Sequence, residues 1–216
     1  MAELDGPRRA PARGSADGLV VLLHGYGANG DDLITLADVW ASRLPAVAFV
    51  SPHAPGRLPQ PGMNARQWFP LSELSPAELG RGAETAAPGL ERFLDAELAR
   101  HGLPPSKLAL VGFSQGTMMA LHVGLRRKAA PAAIVGFSGV LAGPERLQRE
   151  IACRPPVMLI HGAADDLIPV GAIDLTREVA AAAGVPVEWH VREGLGHGID
   201  EAGIAMAGKF LAEHLR

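Results

Sequence analysis

One cysteine, Cys153, is all that this chain of 216 residues contains. An intrachain disulfide therefore cannot form, and a cysteine-built zinc site cannot be assembled. The thiol precedes Pro155 and Pro156 at the start of an apolar run, a setting that suits a buried, inert side chain. Long apolar stretches are also lacking: none approaches the roughly 18 uninterrupted residues of a membrane-spanning helix. Met1 to Asp17 mixes Arg8, Arg9 and Arg13 with proline and glycine and has no apolar core of a secretory signal. Excess charge of one sign is missing too, the net value being −3. The basic run Arg126-Arg127-Lys128 falls where a helix is expected to end, and cations there complement the helix dipole. Phosphate binding needs a broader basic surface, so nucleic acid is not an expected partner. Stable membrane insertion is not expected either, and a cytoplasmic location is.

Repeats and low-complexity tracts are absent, since the 26 glycines and 18 prolines are scattered as turn punctuation. What is present suits one domain with a single large core: 48% hydrophobic and 20% charged residues. Short β-rich runs alternate with longer helical patterns, the signature of βαβ units and a mostly parallel sheet. Strands are expected at Leu19–His24, Val47–Ser51, Leu108–Phe113, Ala132–Phe137, Val157–His161 and Val187–Arg192. Most are continuously apolar, as strands covered on both faces are. The last alternates through Glu188, His190 and Arg192 and reads as an edge strand. Helices are expected after a cap at Asp31 or Asp32 as far as Ser42, and from Ser75, where Ser75-Pro76-Ala77-Glu78 has a capping-box arrangement. Pro88 either kinks that helix or opens a second one, with Gly102 as its stop. Later helices follow at 115–128, 171–183 and 200–215. Residues 1–17 are a lead-in, either flexible or one short strand, and residues 18–216 form the domain. The proline-rich stretch from Pro52 to Leu71 lacks periodicity, and so long a loop in a compact domain is usually functional.

The strongest chemical signal is Gly112-Phe113-Ser114-Gln115-Gly116, which follows one apolar strand and leads into a helical pattern. That is the context of a nucleophile elbow, in which a tight strand-to-helix turn lifts a serine hydroxyl clear of the sheet. The glycines flank it because the turn leaves no room for side chains there. A similar run, Gly136-Phe137-Ser138-Gly139, is broken by Val140 and opens no helix, so Ser138 reads as structural.

A serine hydroxyl needs a base. His24, His53 and His101 precede the serine, and His122 lies in the helix just after it. His214 ends the last helix, His190 sits in the edge strand, and His161 before Gly162 secures a turn or fills space. His197 lies in Gly194-Leu195-Gly196-His197-Gly198, a flexible loop between the last strand and the last helix, from which it can reach the serine. The acid is expected in the turn His161-Gly162-Ala163-Ala164-Asp165-Asp166. There a carboxylate would accept the His197 Nδ1–H and stabilise the imidazolium. Two adjacent aspartates leave that choice open. An oxyanion hole requires two N–H donors. Gln115 would supply one, and the loop His24-Gly25-Tyr26-Gly27 after the first apolar run would supply the other from Tyr26.

Leu23 to Asp32, Gly112 to Thr117, His161-Gly162-x-x-Asp165 with Ile168-Pro169, and Gly196-His197 together resemble the phospholipase/carboxylesterase family, from about residue 18 to the C-terminus. That family includes acyl-protein thioesterases and small bacterial carboxylesterases. The resemblance implies that Asp165 is the acid, while Asp166 falls at a variable position. Pro52-His53-Ala54-Pro55 and Arg66-Gln67-Trp68-Phe69 look like the family's loop over the active site. Tyr26, Trp68 and Phe69 are the expected pocket residues, although Trp68 could equally serve as a plug that holds the loop down. Gln67-Trp68-Phe69-Pro70 is similar to the bacterial branch, which points away from protein depalmitoylation.

The expectation is thus a three-layer α/β/α hydrolase with no cap domain, no metal and no cofactor. Ser114, Asp165 and His197 would hydrolyse small carboxylic esters of short or medium chain, with lysophospholipids or acyl-thioesters as further substrates. It would act as a monomer or homodimer. Competing readings are an acyl-protein thioesterase, a peptidase or C–C hydrolase, for whose usual extra domain there is no room, and a non-catalytic binding protein of the same fold.

Overall fold

The computed structural model describes residues 3–59 and 64–215. Residues 60–63 of the proline-rich stretch, with residues 1, 2 and 216, lie outside the described part. A seven-stranded sheet runs through the domain, and its strands are β1 (Arg8–Arg9), β2 (Gly18–Leu23), β3 (Val47–Val50), β6 (Leu108–Phe113), β7 (Ala133–Phe137), β8 (Val157–Gly162) and β9 (Val187–Arg192). Their order is β1-β3-β2-β6-β7-β8-β9, with only β1 antiparallel to its neighbour. Two further short strands, β4 (Gly56–Arg57) and β5 (Arg66–Gln67), form a separate antiparallel ribbon.

The central strands read as unbroken apolar runs because both faces are covered. One face carries α3 (Pro76–His101) and α4 (Gln115–Gly124), and α6 (Gly171–Ala182) lies on the same side. The other carries α1 (Gly30–Leu33), α2 (Leu36–Trp40) and α7 (Glu201–His214), which pack Trp40, Phe210 and Leu211 on Val20, Leu22, Phe49 and Val135. A four-residue helix, α5 (Leu147–Glu150), completes the set. Strand β9 closes one edge and alternates in exposure along its length.

Several local expectations need correction. The helix expected over 31–42 is two short pieces, and its cap is Asn29 rather than an aspartate. The Asn29 side chain accepts from Asp31 N–H at 2.8 Å while Asp32 accepts from Asn29 N–H at 2.7 Å, a reciprocal box that begins before either aspartate. Ser75 does cap α3, but Glu78 turns its carboxylate to the N–H groups of Ser72, Glu73 and Leu74 instead of closing a box. Pro88 leaves α3 unbroken through 26 residues, and Gly102 ends it at φ 65°. Helix α4 stops at Gly124, and the two arginines beyond it are paired: Arg126 with Glu150 at 2.9 Å and Arg127 with Asp95 at 2.6 Å. Cys153 is buried and donates to Gly124 O, and burial raises its pKa.

Candidate active site

Five chain segments meet at the C-terminal ends of the parallel strands, where ligands of open α/β sheets bind. Strand β6 delivers Ser114, which adopts φ 53° and ψ −116° immediately before α4. A non-glycine residue there stores strain of about 1–3 kcal/mol, and the surroundings must enforce it. They do so by contact. A Cβ on Gly112 would stand 2.4 Å from the Gly116 carbonyl carbon, and one on Gly116 would stand 1.8 Å from Leu23 O. Ser114 N–H donates to Phe137 O at 2.9 Å, and Thr117 Oγ1 lies 2.8 Å from both Gly112 O and Phe137 O. The half-buried hydroxyl of Ser114 sits at the start of a helix whose first N–H groups face the same space.

The loop after β2 passes beside this turn, with the Cβ position of Gly25 only 3.3 Å from Ser114 Cβ. His24 braces it. Ala54 N–H donates to His24 Nε2 at 2.9 Å, so the ring hydrogen is on Nδ1, which donates to Gly25 O at 2.8 Å. Burial lowers this imidazole's pKa to about 4 and keeps it neutral. Neither Tyr26 N–H nor Gln115 N–H is taken by a backbone carbonyl in any loop or turn among the described residues. The Tyr26 side chain is 44% exposed.

Gln115 has a second task that the sequence did not reveal. Its buried amide accepts from Trp68 N–H at 2.8 Å and donates to Phe69 O at 2.8 Å, pairing with the backbone of a segment 46 to 47 residues earlier. Trp68 Nε1–H donates to His24 O at 2.9 Å. Trp68 is thus the plug that pins the loop, and its remaining surface, with that of Phe69, lines a groove of about 490 Å³ against Gly82 and Ala86 of α3. Phe69, expected in the pocket, is only 3% exposed because its ring fills the space over Gly82.

The turn after β8 holds Asp165, whose carboxylate is fully buried. Its Oδ1 accepts from Leu167 N–H at 3.0 Å and Ile168 N–H at 2.9 Å, and Oδ2 accepts from His197 Nδ1–H at 2.8 Å. Burial alone would raise this carboxyl's pKa, but the Ile168 N–H, the His197 imidazole and the Leu167 N–H outweigh it and hold the group below its ordinary value. Asp166 points to solvent. The His197 loop is docked by close approach: a Cβ on Gly162 would lie 2.3 Å from both Leu195 O and Gly196 O. Ala164 N–H donates to Leu195 O at 2.9 Å, and Ser138 Oγ donates to Gly198 O at 3.2 Å. The imidazole packs on Phe113, ring centroids 5.0 Å apart, which puts it beside the residue that precedes Ser114. Asp165 and His197 are therefore joined by a hydrogen bond, whereas Ser114 Oγ makes none among the described residues. Such links commonly close only around a substrate.

The other histidines serve the frame. His53 Nδ1 accepts from Gly30 N–H at 3.1 Å, His161 Nε2 lies 2.8 Å from Ile168 O, and His190 pairs with Glu188 at 2.9 Å. His122 is buried, and burial lowers its pKa to about 4. Among the described residues no group of three His, Cys, Asp or Glu side chains stands close enough to hold a metal ion.

A mostly parallel sheet between helical layers, with a strained serine between strand and helix, defines an α/β-hydrolase. The phospholipase/carboxylesterase sequence profile matches residues 7–215. Acyl-protein thioesterase 1 of Yarrowia lipolytica is 30% identical over 203 residues, 88% of each chain. The crystal structure of esterase PE8 superposes with a TM-score of 0.93 at 42% identity, over 99% of this chain and 100% of that one. Arabidopsis thaliana SOBER1, at 22% identity, shares the fold, with a TM-score of 0.81 over 92% of this chain and 99% of its own. The chain belongs to the phospholipase/carboxylesterase family, and it is a carboxylic ester hydrolase.

Proposed function

We propose that the protein is a serine carboxylesterase with Ser114 as nucleophile, His197 as general base and acid, and Asp165 as the orienting carboxylate. The observation that carries this reading is the 2.8 Å bond from His197 to a buried Asp165, beside a serine held at φ 53°. Ser114 Oγ attacks the ester carbonyl carbon and gives its proton to His197 Nε2. The tetrahedral oxyanion takes hydrogen bonds from the N–H groups of Gln115 and Tyr26. Collapse expels the alcohol or thiol, protonated by His197, and leaves an acyl-enzyme. Water then gives a proton to the same nitrogen as it attacks the acyl carbon, and His197 returns that proton to Ser114 Oγ as the acyl–Oγ bond breaks and the acid leaves. Asp165 stays ionised throughout. One preorganised oxyanion donor is worth roughly 3 kcal/mol in such a site.

Small carboxylic esters of short to medium chain are the proposed substrates, with the groove at Trp68 and Phe69 as the acyl wall and the exposed Tyr26 on the outer side. Lysophospholipids and acyl-thioesters fit the same chemistry. Action on acylated proteins is the second reading, favoured by the likeness to the Yarrowia lipolytica thioesterase and opposed by the bacterial form of residues 67–70. A cytoplasmic location belongs to the same proposal and accords with the free Cys153. Hydrolysis of p-nitrophenyl esters from acetate to laurate, by the wild type and by Ser114→Ala, tests it. The expected result is a preference for the shorter esters and no turnover by the variant. Equal hydrolysis by both proteins, or none by either, would end the proposal and in the second case favour a binding protein.

A further inference from the structure

Strand β8 ends in His161, and this second imidazole also lies against Asp165. Its side chain is 2% exposed, and Nε2 is 3.2 Å from Asp165 Oδ2, the oxygen that accepts from His197. The same Nε2 is 2.8 Å from Ile168 O. A carbonyl oxygen can only accept, so the hydrogen of His161 is on Nε2 and is donated to Ile168 O, and Asp165 Oδ2 is a close neighbour of that nitrogen rather than its hydrogen-bond partner. Ile168 is thereby held at both ends, its N–H on Asp165 Oδ1 and its C=O on His161. Around the buried carboxylate stand the backbone N–H groups of Leu167 and Ile168 and the two imidazoles.

We infer that His161 is a positioning residue for the catalytic acid: it locks the turn from Asp165 to Ile168 and shares the charge on Oδ2. The inference rests on the triad reading above. The polarised Nε2–H of His161 lies 3.2 Å from Oδ2 and stabilises the charge there through space, so His161 limits how strongly Asp165 holds the proton of His197 Nδ1. Removing the His161 donor leaves more of the carboxylate's charge for His197 and favours its imidazolium. The base then loses its proton at a higher pH. A residue at 161 that only filled space would not move that titration.

The test compares the intact protein with His161→Gln, whose amide N–H reaches about as far as Nε2, and His161→Leu, which fills volume without a donor. The acid limb of the kcat/KM profile reports the free enzyme's base, and it is expected to rise by about half a pH unit in His161→Leu, with kcat falling about tenfold. His161→Gln is expected to stay within about threefold of the wild type, with its acid limb in place. The far-downfield proton signal of the His197 Nδ1–H to Asp165 bond should shift in the leucine variant and not in the glutamine one. Equal loss in both variants, or an acid limb that does not move, overturns the inference and reduces His161 to packing. Should the leucine variant fail to fold, the ¹⁵N shifts of His161 in the wild type decide, because an Nδ1–H tautomer contradicts the donor role. Turnover by Ser114→Ala would instead break the triad itself, so the two failures are distinguishable.

Discussion

Two serines sit at the ends of neighbouring strands in almost the same sequence setting. Gly112-Phe113-Ser114 and Gly136-Phe137-Ser138 are paired residue for residue, Gly112 with Gly136 and Phe113 with Phe137. Both serines have positive φ, 53° and 43°, and each donates its backbone N–H to the next strand, Ser114 to Phe137 O and Ser138 to Ile160 O. Their hydroxyls differ. Ser114 is half-buried and unbonded, whereas Ser138 is completely buried and tied to Gly198 O. The cause lies downstream. Gly116 lets the chain turn at once into α4 against Leu23 O, while the chain after Ser138 runs on without a helix. A Cβ on Gly136 would stand 2.5 Å from Thr117 Cγ2, and one on Gly139 would stand 2.3 Å from Thr117 Cβ. The second run's glycines therefore make room for the first run's helix. Strand-end glycines and a strained serine do not by themselves leave a hydroxyl free beside a helix start; the immediate helix does.

The largest difference should appear in turnover. Ser114→Ala is expected to lower kcat by at least about 10⁴-fold with the melting temperature nearly unchanged. A drop under tenfold would remove the distinction between the serines. Next come the glycines. Gly116→Ala forces a methyl into backbone at 1.8 Å and is expected to cost more than about 4 kcal/mol, measured by denaturant unfolding. Gly136→Ala meets side chains rather than backbone, Thr117 Cγ2 at 2.5 Å and Leu159 Cδ2 at 3.1 Å, and is expected to cost about 1–3 kcal/mol. Equal costs would mean that the two turns are interchangeable.

The contrast also marks what could be read in advance. Gly112, Ser114 and Gly116 were legible because the elbow is a local steric problem, solved within five residues. The six longer strands were legible because burial on both faces leaves an unbroken apolar run, though β3 and β7 are each one residue shorter than expected and β8 one longer. His197 followed from chain order and a glycine-rich loop, and Asp165 was separated from Asp166 only by family resemblance. The geometry supports that separation independently, since Asp165 is buried on His197 and Asp166 faces water. The Gln115 amide, the His24 brace and the Ser138 hydroxyl were not legible in these roles. Each holds a partner 30 to 60 residues away in sequence, and no local pattern encodes that distance. Caps were misjudged where one polar side chain outcompeted an adjacent carboxylate, as Asn29 does over Asp31 and Asp32.

Acid should strike the Ser114 side before the Ser138 side. His24, whose carbonyl accepts from Trp68 beside the elbow, is neutral with a pKa of about 4 against an ordinary 6.5. Between those values the unfolded chain binds a proton that the folded chain does not. The stability from neutral His24 is therefore complete above pH 6.5 and is lost as pH falls toward about 4, by on the order of 3 kcal/mol at most. His122, also lowered to about 4, adds a second proton over the same window. Unfolding free energy measured from pH 7 to 4 should fall with a slope approaching two protons, and His122→Phe should remove one of them without changing kcat at pH 7. A slope unchanged by that substitution would contradict the burial of these rings as neutral species.

The smallest expected effect belongs to Ser138, and it shows whether the second serine has any bearing on the first. Its hydroxyl is the hydrogen bond that holds Gly198 O, one residue from His197, so Ser138→Ala should loosen the imidazole rather than the elbow. Loss of one buried hydrogen bond predicts about 1 kcal/mol of stability, and a misplaced base predicts a fall in kcat of about tenfold with KM unchanged. Ser138→Gly separates the two causes. It removes the same hydroxyl but relaxes the backbone at φ 43°, so it should recover roughly 1 kcal/mol of stability relative to alanine. Turnover should stay as low as in Ser138→Ala, because both variants lack the tether. If glycine restored kcat along with stability, backbone strain and not the Gly198 bond would be what couples this serine to the histidine.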